Sequence, residues 1–278
     1  LNTVDSPLMD WGVSLVKLDD DGGVLGFVCF KKPATRFFKV NDPDAIHLNS
    51  IAFSSPSIAV DLLSEAKKIL RERGVTRILF GSDSKHFFPG MPVDVPALHD
   101  ILMVEGFEFG GEQVDLERDL SNYELPKPLP EDVELRPLTA GDHDSLVAFF
   151  DDEFPGRWKH DVLWKIEKEG RYDCVYGLIH ERRVRGFALL QDSTHKFPIG
   201  GAAWRGDLGE NWGSLGPIGV SQTTRGQGWG GALLGAALQH LSKSGAKQSI
   251  IDWTTLVEFY GKHGFLPTRT YRSAKLDL

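Results

Sequence analysis

The sequence of 278 residues is long for one compact core, since domains most often hold about 100 to 150 residues, and it predicts two lobes. Its 41% hydrophobic and 10% aromatic content is that of an ordinary globular protein, and no apolar run approaches the roughly 20 residues of a membrane helix, which excludes a membrane-spanning protein. The net charge of -8 arises in residues 1–125, with 12 basic against 20 acidic side chains, and it disfavours nucleic acid as a partner.

The two cysteines, Cys29 and Cys174, each lie in a strand-like run. A disulfide framework or a cysteine zinc site is therefore not expected; we predict no metal site and a reducing, cytoplasmic environment. The first residue is Leu rather than Met, and we expect the sequence to begin inside a longer gene product.

In the first half, period-two strand patterns alternate with helical ones. The predicted elements are strands Val13–Leu18, Val24–Phe30 and Ile46–Phe53, helix Ile58–Arg73, strand Thr76–Phe80 and helix Pro96–Val104. Three prolines in five residues between Glu124 and Asp132 then favour an extended linker. We predict a first lobe over residues 1–125, a linker over 126–132 and a second lobe over 133–278.

The second half repeats this order. Its predicted elements are strand Val133–Pro137, helix His143–Asp151, strands Tyr172–His180, Val184–Gln191 and Gly213–Val220, helix Trp229–Ser244, strand Ser249–Trp253 and helix Leu256–Lys262. Residues 60–74 superpose without a gap on residues 231–245, both segments end in glycine, and a Gly-Phe pair follows at 106–107 and at 264–265. Glycine at these ends predicts left-handed C-terminal caps, and the spacing predicts an internal duplication of one α/β unit.

A glycine-rich loop follows the strand Leu215–Val220 and precedes the strongest helix. Gly226, Gly228, Gly230 and Gly231 allow the backbone amides to approach a ligand, and the helix N-terminus and Arg225 add positive charge, so the loop predicts an anion site. One alternative is a turn that merely caps the helix. Another is the dinucleotide pattern G-x-G-x-x-G, but this loop comes too late in its lobe for a first βαβ unit.

Arg225, Gly228 and Gly230 resemble the R/Q-x-x-G-x-G/A signature of the GNAT superfamily of acetyltransferases, and Ile218 and Val220 resemble its coenzyme strand. The segment F-Y-G-K-H-G-F (Phe259–Phe265) is similar to the superfamily's l-Y-x-k-x-G-F element, with Tyr260 in the tyrosine position. The resemblance covers residues 133–278 well and residues 11–120 as a degenerate copy. This arrangement looks like the tandem GNAT proteins, of which mycothiol synthases are one branch.

The resemblance implies an α/β fold with a mixed (α+β) sheet. It has two tandem lobes, and each lobe is a mixed, mostly antiparallel sheet flanked by helices. The resemblance also implies acetyl-CoA as co-substrate, with loop amides on the pyrophosphate and strand backbone on the pantetheine. The implied coenzyme-binding residues are Ile218, Gly219, Val220, Arg225, Gly226, Gln227, Gly228, Trp229, Gly230 and Gly231.

The first lobe lacks the counterpart of this loop. From Phe53 to Val60 there are seven residues, against eleven from Val220 to Gly231, and the remaining S-S-P-S-I-A has no glycine and no arginine. Leu102 stands where the second lobe has Tyr260. We therefore expect one coenzyme site per chain, with the first lobe packing against the second and forming one wall of the acceptor cleft.

Amine acetylation needs a polarised thioester carbonyl, a proton for the departing thiolate and a base for the amine. The backbone amide of Val220 is our candidate for the first role, and Tyr260 for the second, the alternative being a tyrosine that only packs against pantetheine. The strand Gly213–Val220 carries no acidic residue, although many GNAT enzymes have a glutamate there. The candidate bases are Glu210, Asp252 and His195. For each of them the alternative interpretation is a surface or capping residue.

We discard Glu258, because Thr255-x-x-Glu258 reads as a capping box. Without an evident base, a weakly basic amine is favoured, since neutralising a lysine-like amine at pH 7 costs roughly 4.6 kcal/mol against about 1.4 kcal/mol for an amine of pKa about 8. Amino sugars and α-amines fit this requirement.

Aromatic residues supply candidate walls for the acceptor pocket. Trp204 and Trp212 flank a glycine-rich segment and either face a ligand or fold inward, Ser82–Pro92 is a candidate lid, and Trp158 and Trp164 read as core. The sequence thus predicts a cytoplasmic N-acetyltransferase with a small-molecule primary amine as acceptor, attacked directly in a ternary complex. The alternatives are a non-catalytic acyl-CoA-sensing module and a protein N-acetyltransferase; the oligomeric state stays open.

Overall fold

The computed structural model describes residues 3–128 and 130–278 and divides the chain into two compact units. Unit 1 comprises Leu1–Val114 together with Arg269–Leu278, and unit 2 comprises Asp115–Thr268. The unit borders differ from the predicted lobe borders, because the last ten residues belong to unit 1 and the segment around residues 126–132 lies within unit 2. The linker itself remains a prediction.

Unit 1 is built on an antiparallel sheet with one parallel pair. Its elements are β1 (Leu15–Leu18), β2 (Val24–Lys31), β3 (Ala45–Phe53), α1 (Pro56–Glu72), β4 (Arg77–Phe80), β5 (Met91–Pro92), α2 (Pro96–Val104) and the first part of β6 (Glu108–Asp119). Strands β1, β2 and β3 pair antiparallel in that order, and β3 pairs β4 in parallel. The C-terminal strand, Leu266–Asp277, pairs antiparallel with β4 through Lys275–Asp277.

Helix α1 forms because Leu62, Leu63, Ala66 and Leu70 recur at helical spacing, and all four are buried. Pro56 stands in the first turn, where its missing N–H has no intrahelical partner to lose. The helix stops before Gly74, whose φ of +73° is left-handed. The predicted glycine cap is therefore confirmed, and so is its counterpart at Gly245, with φ of +102°.

Unit 2 has the same alternation of strands and helices. Its elements are the end of β6, then β7 (Glu134–Pro137), α3 (His143–Glu153), α4 (Arg157–Glu169), β8 (Val175–His180), β9 (Arg183–Asp192), α5 (Arg205–Leu208), β10 (Trp212–Val220), α6 (Trp229–Lys243), β11 (Gln248–Thr254), α7 (Val257–Gly261) and the start of β12 (Leu266–Asp277). The strand order β11-β10-β9-β8-β7 is antiparallel except for the parallel pair of β10 and β11.

The predicted mixed, mostly antiparallel α/β fold is thus confirmed. Helix α6 buries Leu233, Leu234, Leu238 and Leu241, while Phe149 and Phe150 of α3 meet Phe187 of β9 in a separate cluster. Trp158 and Trp164 are half-buried against that cluster, as core residues of helix α4. The long strands β6 and β12 were not among the predicted elements. None of the helices in the described ranges is long and apolar enough to cross a bilayer.

Candidate active site

The centre of the candidate site is the place where β10 and β11 separate. The two strands pair in parallel only from Trp212↔Gln248 to Ser214↔Ile250. Beyond that point β10 follows β9 alone, with a register shift between Leu215 and Ile218, and ends at Val220↔Gly186. The edge of β10 that β11 leaves uncovered includes the predicted coenzyme strand, so its backbone groups are open to an extended ligand.

The end of β10 is held on both faces. A Cβ on Gly186 would lie 2.9 Å from Cγ1 of Val220 and 3.2 Å from Leu233 of α6. A Cβ on Gly219 would lie 2.7 Å from Cζ of Phe154, because the phenyl ring covers the backbone there. Glycine is therefore required at both positions, and the peptide joining Gly219 to Val220 has a fixed position.

The connection from β10 to α6 is fastened at its base. The amide of Ser221 donates to the carbonyl of Arg185 (2.8 Å), and Thr224 Oγ1 donates to the carbonyl of Ser221 (2.9 Å). The carboxylate of Glu153 accepts from the Ser221 hydroxyl and from the amide of Gln222 (3.0 Å). Sequence reasoning missed Glu153, because a carboxylate at the end of a helix gives no signal of a partner 68 residues away.

Above this base the loop turns through two left-handed glycines, Gly226 (φ +82°) and Gly228 (φ +84°), and a Cβ on either would meet no atom within 4 Å. The first α6 bond runs from the amide of Ala232 to the carbonyl of Gly228 (3.0 Å). Within the described ranges, no hydrogen bond is donated by the amides of residues 226–231. These free donors and the empty space beside them fit an anionic group such as a pyrophosphate.

The side chains of the loop contribute unequally. Arg225 is exposed and forms no ion pair with any described residue. Gln227 donates to the carbonyl of Thr223 (3.3 Å). Trp229 is buried and packs on His180, with ring centroids 5.0 Å apart, so only its backbone amide faces a ligand at this loop. Gly230 lies near both Val220 and Phe259, at 3.9 and 4.0 Å from its Cβ position, which brings α7 to the same site.

Tyr260, on α7, is buried at 6% exposure. Burial, and secondarily the charge of Asp252, raise the pKa of Tyr260 above its usual range, so the phenol stays protonated at neutral pH. Its hydroxyl has no hydrogen-bond partner among the residues described. A protonated, uncommitted phenol is chemically able to act as a proton donor.

The candidate bases lie in different places. The carboxylate of Asp252 is 3.6 Å from the Cβ position of Gly216 and 3.0 Å from that of Gly200, which puts it beside the separation of β10 and β11. Glu210 is exposed and precedes β10, on the paired side of that separation. His195 closes a turn, since its Nδ1 accepts from the amide of Asp192 (3.0 Å). Asp252 is therefore the candidate base that lies beside the separation of the two strands.

The structure contradicts one sequence-based interpretation and, for the tryptophans, favours inward packing over the alternative of a ligand wall. The capping box at Thr255 and Glu258 is absent, because α7 begins at Val257 with Leu256 as its N-cap, and Thr254 Oγ1 accepts the amide of Leu256 (3.0 Å). Trp212 does not wall a pocket: its ring is buried with Leu208 and Ile250, and the half-buried Trp204 packs against them.

The predicted lid is an ordered loop of unit 1. Ser82 anchors it twice, through its hydroxyl to the carbonyl of Pro89 (2.6 Å) and through its amide to the carbonyl of Phe88 (3.0 Å). His86 within the loop is buried. Its role as a lid remains a prediction.

Sequence reasoning also missed the connection between α3 and α4. Phe154 lies on Gly219, and Arg157, the first residue of α4, lies over Trp253 with its guanidinium carbon 4.4 Å from the ring centroid. Trp253 has a left-handed φ of +47°, and its amide donates to Asp115 (3.1 Å). This short segment therefore touches both diverging strands, a juxtaposition that no local periodicity reveals.

The separated strands and the glycine-rich loop directly after β10 are the two features on which the sequence-based prediction of a coenzyme site depends. Residues 143–265 match the profile of the acetyltransferase (GNAT) family. The matched residues lie within unit 2 and span less than half of the chain, so the likeness to the GNAT family concerns that unit. A search of curated proteins returned no significant match.

Solved structures share the fold over almost the whole chain. The GCN5-related glucosamine N-acetyltransferase region of a fungal multi-domain GH3 β-N-acetylglucosaminidase is similar with a TM-score of 0.83 and 23% identity, over 98% of this chain. This chain spans 33% of that fungal protein. A GCN5-related N-acetyltransferase from Sphaerobacter thermophilus is similar with a TM-score of 0.70 and 11% identity, over 95% of this chain and 80% of that one.

A tandem GNAT protein from the clavulanic acid biosynthesis pathway is similar with a TM-score of 0.62 and 12% identity, over 93% of this chain and 81% of that one. At such identities the likeness concerns the fold alone. It extends beyond the family match, because it includes unit 1 as well as unit 2.

Proposed function

We propose that this protein transfers the acetyl group of acetyl-CoA to the primary amine of a small molecule, by direct attack in a ternary complex. The observation that carries the proposal is the open edge of β10 followed by the free amides of residues 226–231, within a GNAT domain. Both features suit a ligand with an extended amide arm and a diphosphate.

The coenzyme-binding residues follow from this arrangement. Ile218, Gly219 and Val220 offer backbone groups to the pantetheine, and the amides of Gly226, Gln227, Gly228, Trp229, Gly230 and Gly231 offer donors to the pyrophosphate. Arg225 adds a formal positive charge at the exposed side of the loop.

Three groups carry the chemistry. The amide of Val220 donates to the carbonyl oxygen of the thioester as negative charge develops there. Asp252 takes the proton of the amine while the amine nitrogen bonds to the carbonyl carbon of the thioester. Tyr260 gives its proton to the sulfur as the carbon–sulfur bond breaks. Glu210 stays a second candidate for the base, acting through water. The position of its carboxylate beside the separation of β10 and β11 favours Asp252.

The acceptor we favour is an amino sugar or an α-amine, since a single half-buried carboxylate suits a weakly basic amine better than a lysine. An amino sugar also has the support of the fungal neighbour, which is described as a glucosamine N-acetyltransferase region. We further propose a single coenzyme site per chain, in unit 2, with unit 1 as a degenerate copy in a tandem repeat. The free thiols of Cys29 and Cys174 suit a cytoplasmic enzyme.

Release of free CoA thiol on a panel of amines tests the proposal. We expect turnover with at least one amino sugar or α-amine, and one equivalent of CoA bound per chain by calorimetry. A non-catalytic acyl-CoA sensor would bind the coenzyme and release no thiol with any amine. A protein N-acetyltransferase would release thiol only with peptides, and two equivalent CoA sites would contradict the assignment of unit 1.

A further inference from the structure

Arg157, the first residue of α4, is a half-buried cation. Its guanidinium lies over the ring of Trp253, at 4.4 Å from the centroid. In the described part of the chain it donates no hydrogen bond and forms no ion pair. Two other half-buried arginines of unit 2 do have acidic partners: Arg136 pairs with Asp142, and Arg171 pairs with Asp173. A guanidinium carries five donors, so Arg157 keeps a full set for a ligand.

The ring of Trp253 gives this cation a fixed orientation. A guanidinium that stacks on an indole keeps its edge N–H groups in one plane and free, which is the geometry that binds a carboxylate or phosphate through two parallel bonds. The left-handed φ of +47° at Trp253 and the bond from its amide to Asp115 (3.1 Å) hold the indole in turn. The result is a preorganised donor pair.

The position of Arg157 relates it to the proposed chemistry. Phe154, three residues earlier, covers the backbone of Gly219, next to the Val220 amide. Trp253 directly follows Asp252, the proposed base. Arg157 therefore borders the same opening from which an amine would reach the thioester, and opposite charges stand side by side there: a carboxylate for the ammonium and a guanidinium for an anion.

We infer that Arg157, held by Trp253, is a specificity residue for the acceptor, and that the acceptor carries a carboxylate or phosphate in addition to its amine. This inference rests on the proposed function. It narrows the acceptor from any weakly basic amine to a zwitterionic one, such as an α-amino acid or a phosphorylated amino sugar. Both kinds of anion offer two oxygens to the same pair of donors.

Matched acceptor pairs test the inference, since the members of each pair differ in the anion. The pairs are glucosamine 6-phosphate against glucosamine, and alanine against alaninamide. With the wild-type protein we expect kcat/KM at least tenfold higher for the anionic member of one pair, and the pair that responds identifies the anion as phosphate or carboxylate. The Arg157→Gln variant loses this preference, mainly through KM, and leaves the neutral member within about twofold.

Two controls separate this role from a structural one. Arg183→Gln removes an exposed arginine at the start of β9 and leaves the anionic preference intact. The affinity of Arg157→Gln for CoA and its melting temperature stay at wild-type values. A wild-type enzyme that prefers the neutral members, or a variant that loses activity equally on both members, overturns the inference.

A binding measurement keeps the inference testable without turnover. Calorimetry in the presence of CoA compares the acetylated pairs, N-acetylglucosamine 6-phosphate against N-acetylglucosamine and N-acetylalanine against its amide. Tighter binding of an anionic member that disappears in Arg157→Gln supports the subsite even where no amine is turned over, in which case only the proposed function fails. Equal binding of both members in both pairs removes the subsite.

Discussion

The two units make the same connection from strand to helix, but only one makes it with glycine. At the end of β3 the amide of Ser54 donates to the carbonyl of Leu25 (2.8 Å), and at the end of β10 the amide of Ser221 donates to that of Arg185 at the same distance. Helix α1 then starts at Pro56, whereas α6 starts only at Trp229. The extra segment of unit 2 is the glycine-rich loop, so the proposed ligand site lies in an insertion into a strand-to-helix connection that both units have.

The interior beside the separating strands differs as well. Gly26 pairs with the end of β3, and Gly186 pairs with the end of β10. Lys31 lies five residues after Gly26, and Gln191 lies five residues after Gly186. Gln191 bonds to both backbone groups of Ile199, each at 2.7 Å. Lys31 is fully buried and pairs with Asp83 at 2.5 Å. A buried charge pair thus holds a loop of unit 1 in place, whereas the neutral side-chain amide of Gln191 holds a loop of unit 2.

The largest effect we predict is on this charge pair. Lys31→Met removes the cation from the buried carboxylate of Asp83 and leaves it the side-chain amide of Asn49 as a donor, at 3.2 Å. We expect the free energy of unfolding to fall by about 3 to 5 kcal/mol. Chemical denaturation measures the change. Lys32→Met, at the next and exposed position, is the control and should change stability by less than about 0.5 kcal/mol. A loss below about 1 kcal/mol for Lys31→Met would show that the pair does not distinguish the units.

The second prediction concerns Tyr260, whose counterpart by spacing in unit 1 is the fully buried Leu102. Tyr260→Phe removes the proton donor and keeps the ring, so kcat should fall about a hundredfold while the Kd for CoA stays within about twofold. Steady-state rates and calorimetry separate the two quantities. Tyr176→Phe is the control, because that hydroxyl donates to the carbonyl of Leu135 on β7 (3.1 Å). Unchanged turnover would reduce Tyr260 to a packing residue.

The parts of this comparison that sequence predicts are those with local signals. Leucine spacing located α1 and α6, and the shorter stretch from Phe53 to Val60 indicated the missing loop. Strands β6 and β12 were not predicted, because segments such as E-F-G-G-E-Q-V-D lack a regular alternation of hydrophobic and polar residues. Glu153 and Arg157 were not predicted for another reason. Each contacts a partner far along the chain, and only folding brings the two residues together.

The third prediction tests the loop itself. Gly228→Val places a β-branched residue at φ of +84°, which costs about 1 to 2 kcal/mol locally and disturbs the row of free amides. We expect the Kd for CoA to rise at least tenfold. Ser57→Ala, in the first turn of α1 in unit 1, should leave it unchanged, and calorimetry measures both. Equal effects of the two variants would mean that the coenzyme uses both connections.

The last and smallest prediction concerns the residue before the Gly-Phe pair, Glu105 in unit 1 and His263 in unit 2. Glu105 pairs with Lys67 of α1, whereas His263 Nδ1 bonds to the hydroxyl of Tyr123 at 2.8 Å and its Nε2 lies 4.0 Å from the Cβ position of Gly231. Burial, and then the charge of Arg118, lower the pKa of His263 to about 4. Unit 1 thus contacts α1 through a charged pair at this position, whereas unit 2 places a neutral imidazole near α6.

This difference makes unit 2 sensitive to acid. The unfolded chain binds a proton on His263 near pH 6.5 and the folded chain only near pH 4, so the free energy of unfolding falls as pH drops through this window, by about 1 kcal/mol between pH 6 and pH 5. His263→Gln cannot titrate and should show a shallower fall than the wild type when unfolding is followed at both pH values. Identical slopes in wild type and His263→Gln would mean that the pKa of the imidazole is not lowered in the folded protein, and that α6 tolerates a charge beneath its first turn.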